Sequence, residues 1–234
     1  MNSATSIAVH RAATLIVAAL GLAACAPPPP PPPAPVADAE QTALALEDHT
    51  GLREPIRIVF TWRLNEAGMR LHGRGVARIE PPYKARLDLF LGNGETVVRA
   101  AMVGEDLRLP PGAPRNILPP PDLMWGVLGV FRPDSATALV GGEASPDRSL
   151  QLRYVYPDGR ELRYTVEAGR VRRVERLDGS GRVVERVVLE LEDASRYPVA
   201  ATYRNVSAFR ELKITRESVE RVEPYPPDIW YLAR

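Results

Sequence analysis

The sequence predicts a mainly β protein. It is built on a large antiparallel sheet, with a short N-terminal helix and a central helical segment that covers the apolar face. Three observations predict this. Between residues 39 and 234 the apolar residues recur mostly at a period of two, the pattern of a sheet with one wetted and one apolar face. Gly- and Asp-containing turns separate the alternating stretches at short intervals, as hairpins require. One apolar run, Leu123 to Phe131, follows three prolines and does not alternate.

The elements follow in order. Residues 39–50 place Ala43, Leu44, Ala45 and Leu46 in a short amphipathic helix stopped at Gly51. In the first strand Ile58, Phe60, Trp62 and Leu64 share one face, and Arg57, Thr61 and Arg63 the other. Residues 69–79 alternate more weakly and hold Gly73 and Gly75, which suit a bend or bulge. Residues 84–91 set Ala85, Leu87, Leu89 and Leu91 against Lys84, Arg86 and Asp88, and a Gly92-Asn93-Gly94 turn leads into a strand over 95–103. In the second half Leu150, Leu152, Tyr154 and Tyr156 alternate with polar residues, and Pro157-Asp158-Gly159 turns the chain. Leu162, Tyr164 and Val166 repeat the pattern, and strands follow at 171–177, 183–192, 199–205 and 211–222. That makes about ten strands joined mainly by hairpins.

The segment 107–133 differs. Asp122 after three prolines suits an N-cap, and Gly126 and Gly129 weaken the apolar run as a helix. It reads either as fixed core or as a plug sharing an apolar cavity with an exchangeable ligand, which Met and Trp would contact adaptably. Near the C-terminus, Ile229, Trp230 and Leu232 are expected to pack against a sheet edge; a partner-binding tail is the alternative.

The N-terminus has its own organisation. Residues 1–24 carry His10, Arg11 and no acid, then an apolar stretch over 12–20. That stretch falls short of the roughly 20 apolar residues of a membrane-spanning helix but suits an export signal. It ends in Leu22-Ala23-Ala24-Cys25, which resembles the bacterial lipobox. The resemblance implies cleavage before Cys25 and its diacylglyceryl modification; the alternative is an ordinary signal peptide ahead of a chance cysteine. Ala26, where an Asp would signal inner-membrane retention, favours the periplasmic face of the outer membrane by the same resemblance. Residues 25–38 then form a tether whose seven consecutive prolines favour stiff polyproline II. At ~3.1 Å per residue, residues 26–38 reach roughly 40 Å. The folded domain is expected over 39–234.

Composition narrows the function. The 234 residues carry 30 basic and 29 acidic side chains, and without the leader, which holds Arg11, the balance is neutral. Non-specific nucleic-acid binding needs a basic excess that is not present. The single cysteine, Cys25, excludes an intramolecular disulfide and a multi-cysteine metal site. After the leader only His49 and His72 remain, and the sequence holds no Gly-x-Ser-x-Gly, no His-x-x-x-His and no phosphate-cradling glycine loop. The reading is a non-enzyme with no cofactor and no metal, expected as a monomer.

Further motifs carry a resemblance over residues 40–234. The order is lipobox, linker, helix, Phe60-x-Trp62, Gly73-x-Gly75, Pro82-x-x-x-Arg86-Leu87-Asp88-Leu89, Leu91-Gly92, and a central Trp125-x-x-Leu128-Gly129. This is similar to LolB-like outer-membrane lipoprotein receptors, within the wider LolA/LolB-like superfamily. The resemblance implies a single curved sheet, an unclosed half-barrel of 10–11 strands, with helices as lid or plug. It implies a protein that takes a lipoprotein's acyl chains from a periplasmic LolA-like carrier and helps localise them to the outer membrane. Apolar burial is non-directional and scales with area, so an apolar concavity suffices for this. Its expected lining is Phe60, Trp62, Leu87, Leu89, Met102, Trp125, Leu128, Leu152, Tyr154 and Tyr164. Two features depart from the family. The loop Gly92-Asn93-Gly94 has no apolar tip where LolB has an exposed leucine, and Ile79-Glu80-Pro81-Pro82 lacks the arginine that latches the LolA lid. The alternative is a sensing or structural lipoprotein, RseB-like, that uses the same fold to bind a protein or envelope partner.

Overall fold

The computed structural model describes residues 31–113, 117–193 and 195–232. The leader, Cys25 and the first part of the tether lie outside the described residues. One folded unit begins at Pro33. Its helices are α1 (Ala39–Thr50) and α2 (Pro121–Val127). Its strands are β1 (Ala34–Pro35), β2 (Ile56–Glu66), β3 (Met69–Glu80), β4 (Lys84–Leu91), β5 (Thr96–Val103), β6 (Asp106–Arg108) and β7 (Ala138–Ala144). They continue as β8 (Ser149–Val155), β9 (Glu161–Glu167), β10 (Arg170–Leu177), β11 (Val183–Glu190), β12 (Ala200–Asn205) and β13 (Arg210–Arg221). All thirteen form one antiparallel sheet in the order β1-β7-β8-β9-β10-β11-β12-β13-β2-β3-β4-β5-β6. The ends of the sheet, β1 and β6, do not pair, so the sheet is an unclosed half-barrel. Strands that pair are consecutive in sequence except at the β13–β2 seam, whose long register from Arg210↔Glu66 to Arg221↔Ile56 joins the two halves, and at the β1–β7 edge.

Alternation dictates which face is buried. On β2, Ile56, Ile58, Phe60, Trp62 and Leu64 are all buried while Arg57, Arg63 and Asn65 are exposed. Leu87 and Leu89 on β4, Leu152 and Tyr154 on β8, Leu162, Tyr164 and Val166 on β9 and Val187 and Leu189 on β11 join the same core. The outer face is laced with ion pairs such as Arg57–Glu220 at 2.6 Å and Lys213–Glu190 at 2.9 Å. Exposed pairs of this kind contribute little to stability, typically below about 1 kcal/mol, so the apolar concave face dominates.

α1 forms because Asp38 caps it, its carboxylate accepting from the Gln41 N–H at 2.8 Å, and it ends where the Gly51 N–H donates to the Glu47 carbonyl at 2.9 Å. Its last turn is tied inward: the buried Thr50 hydroxyl accepts from the Phe131 N–H at 2.9 Å.

Several expectations change. The strands number thirteen, not ten or eleven. β6 and β7 flank the non-alternating middle, and both are too short or too glycine-rich for periodicity to show them. β1 lies inside the segment read as tether: Ala34 and Pro35 pair with β7, and the Val36 N–H donates to the Gly142 carbonyl at 2.9 Å. Proline is tolerated there because β1 is an edge. Gly73 and Gly75 mark no bulge, since β3 stays in register with both neighbours. They make room instead. A Cβ at Gly73 would lie 1.8 Å from the Phe90 carbonyl oxygen, and one at Gly75 2.4 Å from the Phe60 ring. The tail packs on a sheet face rather than an edge. Trp230, in a 3-10 turn over Pro227–Trp230, is buried; Arg86 donates to the Ile229 carbonyl at 3.0 Å and Arg108 to that of Trp230 at 3.2 Å. Ala101, paired with both arginines on the outer face, is buried beneath it.

Candidate functional site

The concave face is closed by α2. Pro121 at its first turn and Pro120 before it set its start, and no side chain caps it. Asp122 therefore sits inside the helix and not at the N-cap. It is turned inward and buried, where its carboxylate accepts from the Tyr156 hydroxyl at 2.8 Å and lies 3.7 Å from Arg176. Burial raises the Asp122 carboxyl above its ordinary value, against the opposing pull of Arg176 and Tyr156. Burial, reinforced by the adjacent Asp122 charge, likewise pushes the Tyr156 phenol up.

Beyond Asp122 the helix is apolar all round. Leu123, Met124, Trp125, Gly126 and Val127 are buried, the pattern of an element enclosed by protein. Gly126 permits close approach to the sheet, since a Cβ there would lie 2.8 Å from Val174 Cγ2. Gly129, at φ +78°, reverses the chain against Pro198. Polar atoms fix both flanks. The Trp125 indole donates to the Gly104 carbonyl at 2.9 Å, and the Tyr164 hydroxyl to the Arg132 carbonyl at 2.8 Å. The Arg132 guanidinium stacks 3.7 Å from the Tyr83 ring, which meets Trp125 edge-on at 5.6 Å.

The fit of α2 is incomplete on one side. A cleft of about 40 Å³ runs between Met124, Val127 and Leu128 and the facing residues Ile58, Phe60, Leu87, Tyr197, Ala201 and Ile214. A second, of about 70 Å³, lies on the far side of Leu128 and Tyr197, lined by His49, Thr50, Val130, Val171 and Leu191. Leu128 and Tyr197 wall both and separate them. The β11–β12 connection that carries Tyr197 is held from below: Arg216 donates to the Tyr197 carbonyl at 2.8 Å and Arg170 to the Ser195 carbonyl at 2.8 Å.

The expected lining residues all face the concavity, but the structure divides them. Phe60, Leu87 and Leu128 meet at the first cleft. Tyr154 and Tyr164 sit on the opposite flank, both against Phe131, at 6.2 and 4.6 Å between rings. Trp125 belongs to the plug itself. Trp62, Leu89, Met102 and Leu152 are fully buried and line neither cleft. Sequence reasoning missed Tyr197, Ala201 and Ile214. Tyr197 lies in an aperiodic connection, and Ala201 and Ile214 alternate too weakly to mark a wall. It also missed the inward Asp122 with Tyr156 and Arg176. A larger hollow of about 750 Å³ lies outside the half-barrel, between residues 106–113 and Tyr231-Leu232. It borders residues outside the described set. No group of three or more His, Cys, Asp or Glu that could hold a metal occurs among the described residues.

The sheet, left open at its edges and stopped on its concave face by a short apolar helix, is an unclosed half-barrel. Its fold matches that of the LolA superfamily protein from Nitrosomonas europaea, with a TM-score of 0.57 at 12% identity, over 84% of this chain and 99% of that one. A domain assigned to outer membrane lipoprotein sorting, from Vibrio parahaemolyticus, aligns with a TM-score of 0.49 at 10% identity, over 83% and 97% of the two chains. No protein-family model matches the sequence. No curated protein matches it either.

Proposed function

We propose that this protein is a lipid-anchored periplasmic lipoprotein of the outer membrane that binds acyl chains of other lipoproteins in its half-barrel and helps localise them. Cys25 carries the anchor in this reading, and a periplasmic LolA-like carrier supplies the cargo. The observation that supports it most is the apolar helix α2, enclosed by an apolar sheet yet parted from β12 and β13 by the cleft at Leu128. About 40 Å³ admits only a few water-sized groups. An acyl chain enters only if α2 withdraws, and each buried CH₂ then contributes about 0.8 kcal/mol toward the cost. The build of α2 suits withdrawal, with seven residues, no side-chain cap and a glycine in its second half.

The experiment is displacement of a fluorescent fatty acid from the full-length protein. Leu128→Asp and Ile214→Asp should each weaken binding tenfold or more, which corresponds to about 1.4 kcal/mol, because both place a charge in the cleft. Unchanged binding by folded variants contradicts the site. The filled half-barrel favours a second reading, a sensing or structural lipoprotein with a fixed core, and that reading expects no binding by the unsubstituted protein.

A further inference from the structure

Seven large apolar side chains are exposed among the described residues, and three of them stand together: Met69, Val206 and Phe209. Phe209 is the most exposed at 82%. It closes the β12–β13 hairpin, and Met69 opens β3 at the β2–β3 hairpin. The two tips are neighbours because Arg210 pairs with Glu66 across β13 and β2, and Glu66 with Met69 across β2 and β3. The buried Arg210 guanidinium donates to the Glu66 carboxylate, which fastens one hairpin end to the other. Scattered exposed apolar residues need no explanation, but a cluster on a rigid protrusion does.

Phe209 is also held in the left-handed region at φ +49°, a conformation that glycine or asparagine adopts with less strain. The turn is built for it: the Asn205 carboxamide accepts from the Ala208 N–H at 2.9 Å, and the Phe209 N–H donates to the Val206 carbonyl at 3.3 Å. A bulky aromatic thus takes a strained position without any packing return inside the fold.

Charge identifies the occupant. The outer face behind the tip carries Arg63, Arg70, Arg204 and Lys213 against Glu211, and the next acids of β13, Glu217 and Glu220, stand further from the tip, where they pair with Arg74 and Arg57. Arg204 pairs with Glu211 at 2.5 Å and Lys213 with Glu190 at 2.9 Å. Arg63 and Arg70, both exposed, make no ion pair with any described residue. An apolar tip with a cationic collar is the chemistry that enters the headgroup boundary of an anionic bilayer. We propose that the paired hairpin tips at Met69, Val206 and Phe209 dock on an anionic lipid surface, with Arg63 and Arg70 contacting its headgroups. The surface is distinct from the α2 cleft, and the proposal stands whether or not that cleft takes acyl chains.

The test uses the full-length protein carrying Phe209→Trp, mixed with phosphatidylglycerol vesicles whose acyl chains are brominated. Trp62, Trp125 and Trp230 are at most 3% exposed, so the unsubstituted protein supplies the background. The new tryptophan should be quenched about twofold or more on phosphatidylglycerol, less on brominated phosphatidylcholine, and less again when Arg63→Glu and Arg70→Glu are added. No quenching on phosphatidylglycerol overturns the proposal. Equal quenching on both lipids overturns the anionic assignment. Self-association abolished by Phe209→Asp, with no quenching, overturns it in favour of a second copy of the chain.

Discussion

The Tyr156 hydroxyl donates to the Asp122 carboxylate at 2.8 Å, from the end of β8 to the first turn of the helix that fills the half-barrel. It is a polar clasp on an otherwise apolar plug. Tyr156→Phe removes the donor and leaves a buried carboxylate with Arg176 alone. Urea unfolding should show a loss of about 1–3 kcal/mol, and an unchanged midpoint contradicts the clasp.

The same carboxyl makes stability depend on pH. Its folded value is raised, chiefly by burial, above the unfolded value of about 3.9. Between these values the folded protein binds the extra proton, so the free energy of unfolding falls as pH rises through the window. The contribution is full below about 3.9 and lost above the folded value. Asp122→Asn cannot titrate. Wild type should therefore gain stability relative to this variant as the medium is acidified, read as the difference in urea midpoints. A difference that does not change with pH contradicts the assignment.

Gly126 sets how closely α2 approaches β10. A Cβ would meet Val174 Cγ2 at 2.8 Å, so Gly126→Ala must push the helix or the valine aside. Overpacking of this kind costs about 1–3 kcal/mol. If the plug is the door, the variant should also take up a fluorescent fatty acid faster, by stopped-flow, than the unsubstituted protein. Slower uptake contradicts the plug's role.

Leu128 walls both clefts and is only half-buried, so it tolerates enlargement. Leu128→Trp should fill the cleft and weaken fatty-acid binding while leaving the thermal midpoint within a few degrees. A large loss of stability would show that Leu128 is core.

Trp230 fixes the tail over Lys84, Arg86 and Ala101, with Tyr225 edge-on at 5.8 Å. Trp230→Ala should cost about 3 kcal/mol by unfolding, without changing fatty-acid binding, because the tail lies on the outer face. Loss of binding would place the tail in the site.

The sheet was legible because a half-wetted strand writes its burial as alternation. Ile58 to Leu64 and Leu162 to Val166 needed no further signal. α1 was legible to its last residue through Gly51. What stayed hidden has physical causes. β1 and β6 are two and three residues long, too short for any period. β7 carries Gly141 and Gly142, which have no side chains to alternate. Asp122 has the sequence of a cap, but the N-cap position falls at Pro120 and the helix begins at Pro121, two residues earlier, which turns the Asp122 carboxylate to Tyr156. The cleft was half legible. Phe60, Leu87 and Leu128 lie on periodic or apolar runs, whereas Tyr197 enters from a connection shaped by Arg170 and Arg216, and no local pattern announces that.

The most direct measurement places a photo-crosslinking amino acid at Leu128 of the full-length protein and adds a periplasmic carrier loaded with a lipoprotein labelled in its acyl chains. The account predicts that label leaves the carrier and crosslinks at position 128, but not at the exposed Val140 on β7. Label that stays on the carrier, or that moves without crosslinking at 128, contradicts an acyl-binding half-barrel.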